Sequence, residues 1–120
     1  FELGKLLKKL RNKGILVVGS GNIVHNLGMI DWANMNKEDH GYDWAIEARE
    51  QVNKAILNRD FNSLIHYEKH GKAFQNAIPT PDHYLPLLYT LGMLDTTDSL
   101  ELFNDKLVAG SLSMTSLRLG

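Results

Sequence analysis

The amino-acid sequence predicts an α/β fold: a mixed sheet with flanking helices and a C-terminal antiparallel hairpin. Three observations carry that expectation. Ile15-Leu16-Val17-Val18 is a short, β-branched, continuous apolar run bounded by Gly14 and Gly19, the pattern of a strand buried on both faces. Residues 43–58 repeat apolar side chains with the helical period, in the stripe Ala45, Ala48, Val52, Ala55 and Ile56. After Gly92 the period changes to two, and Leu112, Met114, Ser116 and Arg118 alternate with Ser111, Ser113, Thr115 and Leu117.

In chain order, residues 2–13 read as the end of an amphipathic helix with Leu3, Leu6, Leu7 and Leu10 on one face. Lys5, Lys8, Lys9, Arg11 and Lys13 surround that face. Cations favour a helix C-terminus through the macrodipole, so the basic charge needs no ligand, and Gly14 stops the helix. The apolar run follows and leads into Gly19-Ser20-Gly21-Asn22-Ile23-Val24-His25, where the glycines are read as allowing a tight turn. Residues 26–40 look irregular. Asp43 is a candidate cap for the helix that ends near Asn58, and Glu50 and Lys54 add a favourable pair four apart. Asp60 or Asn62 starts a shorter helix with Phe61, Leu64 and Ile65 inward, closed by Gly71. Thr80 is read as an N-cap with Pro81 in the first helical position, His83 in the first turn, and Pro86 kinking or restarting the helix. Leu87, Leu88, Leu91 and Leu94 continue an apolar stripe. Residues 99–103 and 108–119 form the expected hairpin, joined near Asn104-Asp105-Lys106.

Composition bounds the function. The 120 residues carry a formal net charge of −1, which gives no argument for nucleic acid or an anionic membrane surface. No stretch approaches the roughly 20 apolar residues that span a bilayer. The first residues show no signal-peptide pattern, so a cytoplasmic location is the expectation. The absence of cysteine removes disulfides and thiolate chemistry, and any metal needs His, Asp, Glu or backbone ligands.

Residues 19–24 half-match a dinucleotide loop, but Val24 stands at the third glycine position and no acidic strand end follows at the right distance. Nucleotide binding is set aside. His66 and His70 lie four apart, a metal-compatible spacing on a helix, yet Tyr67 stands where a zinc protease has Glu. A solvated helix end accounts for them better than a metal-dependent hydrolase does. His40, in a polar loop, is read the same way. His25 and His83 differ. His25 follows a strand end, where ligands bind in α/β folds, and His83 is framed by Pro79, Pro81 and Pro86, all the prolines of the chain. Each histidine taken singly is more often a satisfied polar group than a ligand.

Four segments together carry more. GSGNIVHNLG at 19–28, YDWAI at 42–46, PTPDHYLPLLYTLG at 79–92 and GSLSMTSLRLG at 110–120 resemble the C-terminal half of class III extradiol ring-cleavage dioxygenases of the DOPA 4,5-dioxygenase type. The resemblance spans nearly all of the chain, so residues 1–120 are expected to form the C-terminal part of such a catalytic domain, half of a larger single domain. It implies cleavage of a catechol ring with O2 at a non-haem Fe(II), a place that zinc takes in some preparations. It implies His83 as metal ligand and His25 as acid/base, with His25 also a candidate ligand and the two roles exchangeable. The other metal histidines of the family lie in its N-terminal half, the first in a His-Gly-Ser-Pro motif. His40-Gly41-Tyr42 and His70-Gly71-Lys72 do not replace it. The expected partners are a small-molecule catechol, O2, and either the missing N-terminal half or a second copy covering the open sheet edge. The alternative is a catalytically silent fragment or relative that serves an interaction role.

Overall fold

A computed structural model describes all 120 residues. Five α-helices come first in the chain, α1 (Glu2–Arg11), α2 (Asp43–Leu57), α3 (Phe61–Ile65), α4 (Lys72–Ala77) and α5 (Leu85–Gly92). Four short strands follow, β1 (Leu100–Phe103), β2 (Leu107–Val108), β3 (Leu112–Ser113) and β4 (Ser116–Leu119). β2 and β3 pair antiparallel with Leu107 opposite Ser113, and β1 and β4 pair antiparallel with Leu100 opposite Leu119. The C-terminal hairpin is therefore present, as two short ribbons in succession. Its tight bend is not at residues 104–106, which link β1 to β2, but at Ala109 and Gly110, both in the left-handed region at φ 53° and 78°. Isolated bridges tie earlier segments to this ribbon: His25 to Leu112 antiparallel, and Gly41 to Gly110 parallel.

The core lies where α2 meets α4 and α5. Ala45, Ala48, Val52 and Ile56 are buried along one face of α2, as the 3.6-residue stripe requires. Ala73, Phe74 and Ala77 of α4, Leu64 of α3 and Leu88 and Leu91 of α5 meet them. Tyr84 is also buried and donates from its hydroxyl to the Leu64 carbonyl at 3.0 Å. Burial pushes that phenol's pKa well above its ordinary value, so it stays protonated.

α1 ends as the sequence implies. The Gly14 N–H reaches the Arg11 carbonyl, the Ile15 N–H reaches Leu10, and Gly14 sits at φ 72°. The leucine face is a different matter. α1 packs on α5 through Gly4, where an added Cβ would stand 2.3 Å from the Tyr89 carbonyl oxygen, and Leu3 and Leu6 remain exposed. Close backbone approach at Gly4 and Gly92 replaces the leucine seam that the sequence suggested.

The cations of α1 hold the turn after α5. Lys8 lies 2.7 Å from Asp95. The Arg11 guanidinium grips the Asp98 carboxylate with two nitrogens, at 2.5 and 2.9 Å, and also donates to the Met93 carbonyl. These bonds, with the Asp95 N–H, lower the Asp98 carboxyl to about 2. A depressed carboxylate stabilises the fold above its unfolded value near 3.8, and that contribution disappears as pH falls through the folded value. Acidification from pH 5 to pH 2 is expected to remove roughly 1–2 kcal/mol through this group, allowing for the partial exposure of Arg11. Urea midpoints of the native chain and Asp98→Asn at both pH values measure it: the pH dependence should shrink in the variant.

Three sequence expectations are corrected. Ile15–Val18 is extended but forms no strand, and Leu16 and Val18 are 86% and 76% exposed. From Leu16 to Gly21 no backbone N–H or carbonyl is hydrogen-bonded, because no other strand of the 120 residues runs alongside. The second helix group is broken: α3 ends at Ile65, a 3₁₀ turn covers Tyr67–Lys69, and α4 begins after Gly71 at φ 83°. His66 and His70 therefore do not share a helical face. His70 Nε2 is held 2.9 Å from the Ser63 carbonyl and His66 Nδ1 lies 3.6 Å from Glu68, which ends the hydrolase reading. Finally, Thr80 and Pro81 do not open a helix. Residues 81–84 form a turn, and α5 starts at Leu85 with Pro86 in its first turn, where a missing N–H costs nothing.

Candidate functional site: two stacked histidines

The segment Asn22–Asn26 is threaded between β3 and the end of α4, and backbone bonds on both sides fix it. On the β3 side, Val24 accepts from the Ser113 N–H at 3.0 Å, its N–H donates to Ser113 Oγ at 3.0 Å, and the Asn26 N–H donates to the Ser111 carbonyl. On the other side, the His25 N–H donates to the Ala77 carbonyl at 2.8 Å, and Asn26 Nδ2 donates to the Asn76 carbonyl at 2.7 Å. Ile23 and Val24 are buried between these partners. His25 thus projects from a rail whose register is set at both edges.

The serines of this rail were not legible as such. Ser111 and Ser113 are the buried face of the alternating C-terminal pattern, while Met114 is exposed. They face inward because their hydroxyls satisfy the 22–26 backbone: Ser111 Oγ donates to the Asn26 carbonyl, and Ser113 Oγ accepts from Val24. Ser113→Ala strands a buried N–H and is expected to cost about 1–3 kcal/mol. Chemical denaturation should show that loss, with Met114→Ala, exposed and one residue away, as the mild comparison.

The glycines before this rail have a role other than the turn suggested by sequence. Neither Gly19 nor Gly21 has positive φ. At Gly21 an added Cβ would lie 2.1 Å from the His83 carbonyl oxygen, and at Gly19 it would lie 2.7 Å from Thr90 Oγ1. The glycines let an extended backbone press against the start of α5, and the Asn22 N–H then donates to the His83 carbonyl at 2.9 Å. That bond joins the His25 rail to the His83 turn.

The result is direct contact between the two singled-out histidines, 58 positions apart by number. The His25 and His83 rings stack with centroids 3.7 Å apart and planes 11° from parallel. Burial lowers the His25 pKa below its ordinary value, the neighbouring His83 lowers it further, and the Asp82 carboxylate opposes both. The balance favours the neutral imidazole of His25. His83 Nδ1 is buried and lies 2.7 Å from Asp82 Oδ2, although the carboxylate stands outside the direction in which that nitrogen donates. Asp82 is held ionised, by the Thr80 hydroxyl first. Sequence reading did not single out Asp82; its place directly before His83 was the available signal.

His40 stands apart from this pair. Its Nε2 is 2.8 Å from Asp31 Oδ2, and the bond lowers the Asp31 carboxyl. Nowhere do three His, Asp or Glu side chains gather closely enough to hold a metal by themselves. A groove of about 670 Å³ opens beside the pair, between residues 14–23, α5 and the β1–β4 ribbon, and His83 lines it.

Relatives share this chain along its whole length. It is 38% identical to the 4,5-DOPA dioxygenase extradiol of Escherichia coli K12, over 100% of this chain and 44% of that protein. Over its whole length the chain is similar to part of the extradiol DOPA dioxygenases. A Beta vulgaris protein of the same name is 25% identical over 98% of this chain and 42% of its own length. The crystal structure of an uncharacterized protein from Escherichia coli K12 superposes with a TM-score of 0.82 at 37% identity, covering 97% of this chain and 47% of that one. No family model matches. The chain thus spans under half the length of the extradiol dioxygenases it matches, and its helices and C-terminal hairpin reproduce part of a larger fold.

Proposed function

We propose that these residues carry part of the site of a non-haem, metal-dependent dioxygenase that cleaves the ring of a DOPA-like catechol with O2. The observation that carries the proposal is the stacking of His25 on His83 in a chain whose relatives bear the dioxygenase name.

The donor set fits such a metal in part. An imidazole binds a metal along a lone pair in the ring plane. Two nearly parallel rings 3.7 Å apart cannot both aim in-plane lone pairs at one ion. The arrangement favours one ligand with a free imidazole beside it. His83, whose Nδ1 lies 2.7 Å from Asp82 Oδ2, would be the ligand through Nε2, and His25 the adjacent base. The remaining ligands come from polypeptide outside these 120 residues. Bound Fe(II) would supply adjacent open positions for a catecholate and O2. His25 takes the second catechol proton on its ring nitrogen and returns it during ring opening, a contribution of typically 10²–10⁴-fold. Zinc suits the same imidazole donor and is an alternative occupant of the site.

Oxygen uptake with DOPA, measured on a polypeptide of family length containing this chain, tests the reading. Uptake should require Fe(II) and collapse in both His25→Ala and His83→Ala. Full uptake in both variants overturns it. The second reading, a catalytically silent interaction protein, draws support from the unpaired apolar segment 16–21. It predicts normal partner binding and no oxygen uptake in any variant.

A further inference from the structure

We propose that Asn22 is the positioning residue of the histidine pair: it ties the His83 turn to β3 and so sets the spacing of the two stacked rings. What the pair does rests on the functional reading above, whereas how the pair is held rests on three separate observations.

The first is how little holds His83. It lies in the turn before α5, outside any helix or strand, and its own N–H makes no backbone bond. Its carbonyl accepts from the Asn22 N–H at 2.9 Å, and that is the only backbone bond His83 makes. The second is how Asn22 is itself held. Its carbonyl accepts from no backbone donor, but its side-chain Nδ2 donates to the Ser113 carbonyl at 2.6 Å. Asn22 therefore has one anchor on each side and stands as a strut between the His83 turn and β3. The third is what lies beyond that strut. The Ser113 N–H donates to the Val24 carbonyl and Ser113 Oγ accepts from the Val24 N–H, both at 3.0 Å. With the bond from Asn22, the N–H, carbonyl and hydroxyl of Ser113 are all engaged by residues 22 and 24. His25 follows directly on this clamp.

The residue type fits the task. A side-chain amide offers an N–H donor to one carbonyl while the backbone N–H of the same residue serves another. Aspartate has the same shape but turns an acceptor onto the Ser113 carbonyl, and alanine leaves Asn22 with its single bond to His83. The neighbouring glycines allow close approach, since an added Cβ at Gly21 would meet the His83 carbonyl. They carry no group that fixes a separation, and Asn22 does. Little tolerance exists in the pair it sets, whose ring centroids are 3.7 Å apart. A shift of about 1 Å in a reacting group can cost on the order of 10²-fold in rate.

The test is NMR on the 120-residue chain, with Asn22→Asp and Asn22→Ala as variants. In the native chain, cross-relaxation between the His25 and His83 imidazole protons should be strong, and the Asn22 side-chain amide protons should exchange slowly with solvent. In both variants the cross-relaxation should weaken severalfold or vanish, at temperatures below the unfolding midpoint of each. Asn53→Ala removes a comparable bond, from Asn53 Nδ2 to Asp105 at 2.8 Å, and should leave it unchanged. In a family-length polypeptide, Asn22→Asp should retain Fe(II) through gel filtration, keep its KM and lose about 10–100-fold in kcat. A lowered unfolding midpoint with undiminished cross-relaxation and kcat is the result of a merely structural role and overturns the proposal. Should neither variant fold, the native spectrum decides, and fast exchange of the Asn22 amide protons overturns it. Lost cross-relaxation in the variants, with no oxygen uptake by the native family-length polypeptide, keeps Asn22 as the positioning residue and removes the dioxygenase reading.

Discussion

Gly21→Ala will destabilise the chain by about 2 kcal/mol or more and lower its melting temperature by roughly 10 °C. The new Cβ would lie 2.1 Å from the His83 carbonyl oxygen, a backbone atom that cannot swing aside. Relief requires the 19–22 segment to lift away from the turn, which breaks the bond from the Asn22 N–H to His83. The effect therefore reaches the site as well as the stability: His25 and His83 should lose their stacked contact. Two controls separate this from a general intolerance of the segment. Gly19→Ala meets the end of a threonine side chain first and should cost less. Gly14→Ala has open space but a φ of 72°, so its penalty is left-handed strain of about 1 kcal/mol with no change at the histidines. Thermal melts of the three variants, with the imidazole proton signals of His25 and His83 followed by NMR, provide the measurement.

His25→Ala and His83→Ala are expected to fail in different ways. In a family-length polypeptide, His25→Ala should keep its metal and lose about 10²–10⁴ in kcat, the usual contribution of a positioned proton-transfer group. His83→Ala should lose the metal itself, so that added Fe(II) no longer stays bound through gel filtration. The difference follows from the stacking, since only one of two cofacial rings can turn a lone pair on a given ion. Exchange of the two outcomes would assign the ligand to His25 and the proton transfer to His83. Metal content by atomic absorption and single-turnover rates distinguish the cases.

Local patterns were the legible part of this fold. The α2 stripe, the Gly14 stop and the Asp60 cap all depend on neighbours within a few residues, and all are found. Asp60 accepts from the Ser63 N–H as an N-cap should. The Ile15–Val18 run shows the limit. Its composition specifies a buried strand, but burial needs partners, and no other segment of these 120 residues supplies them. The inward turn of Ser111 and Ser113 was hidden for the opposite reason. Polar residues read as surface, and only the distant 22–26 backbone makes them core. α4 carries six residues with no periodic signal to announce it. For the site, sequence singled out His25 and His83 by strand end and proline frame. Their face-to-face contact comes from the glycine-backed crossing of two segments far apart in the chain, which no local pattern encodes.

The central proposal is a divided site, in which this chain contributes one metal ligand and one base and further polypeptide supplies the rest. Fe(II) titration by anaerobic calorimetry tests it most directly, on the 120-residue chain alone and on a family-length polypeptide containing it. The account predicts no stoichiometric binding to the chain alone, one Fe(II) per family-length polypeptide, and loss of that site in His83→Ala. A family-length polypeptide that still holds one Fe(II) after both His25 and His83 are replaced by alanine would contradict it.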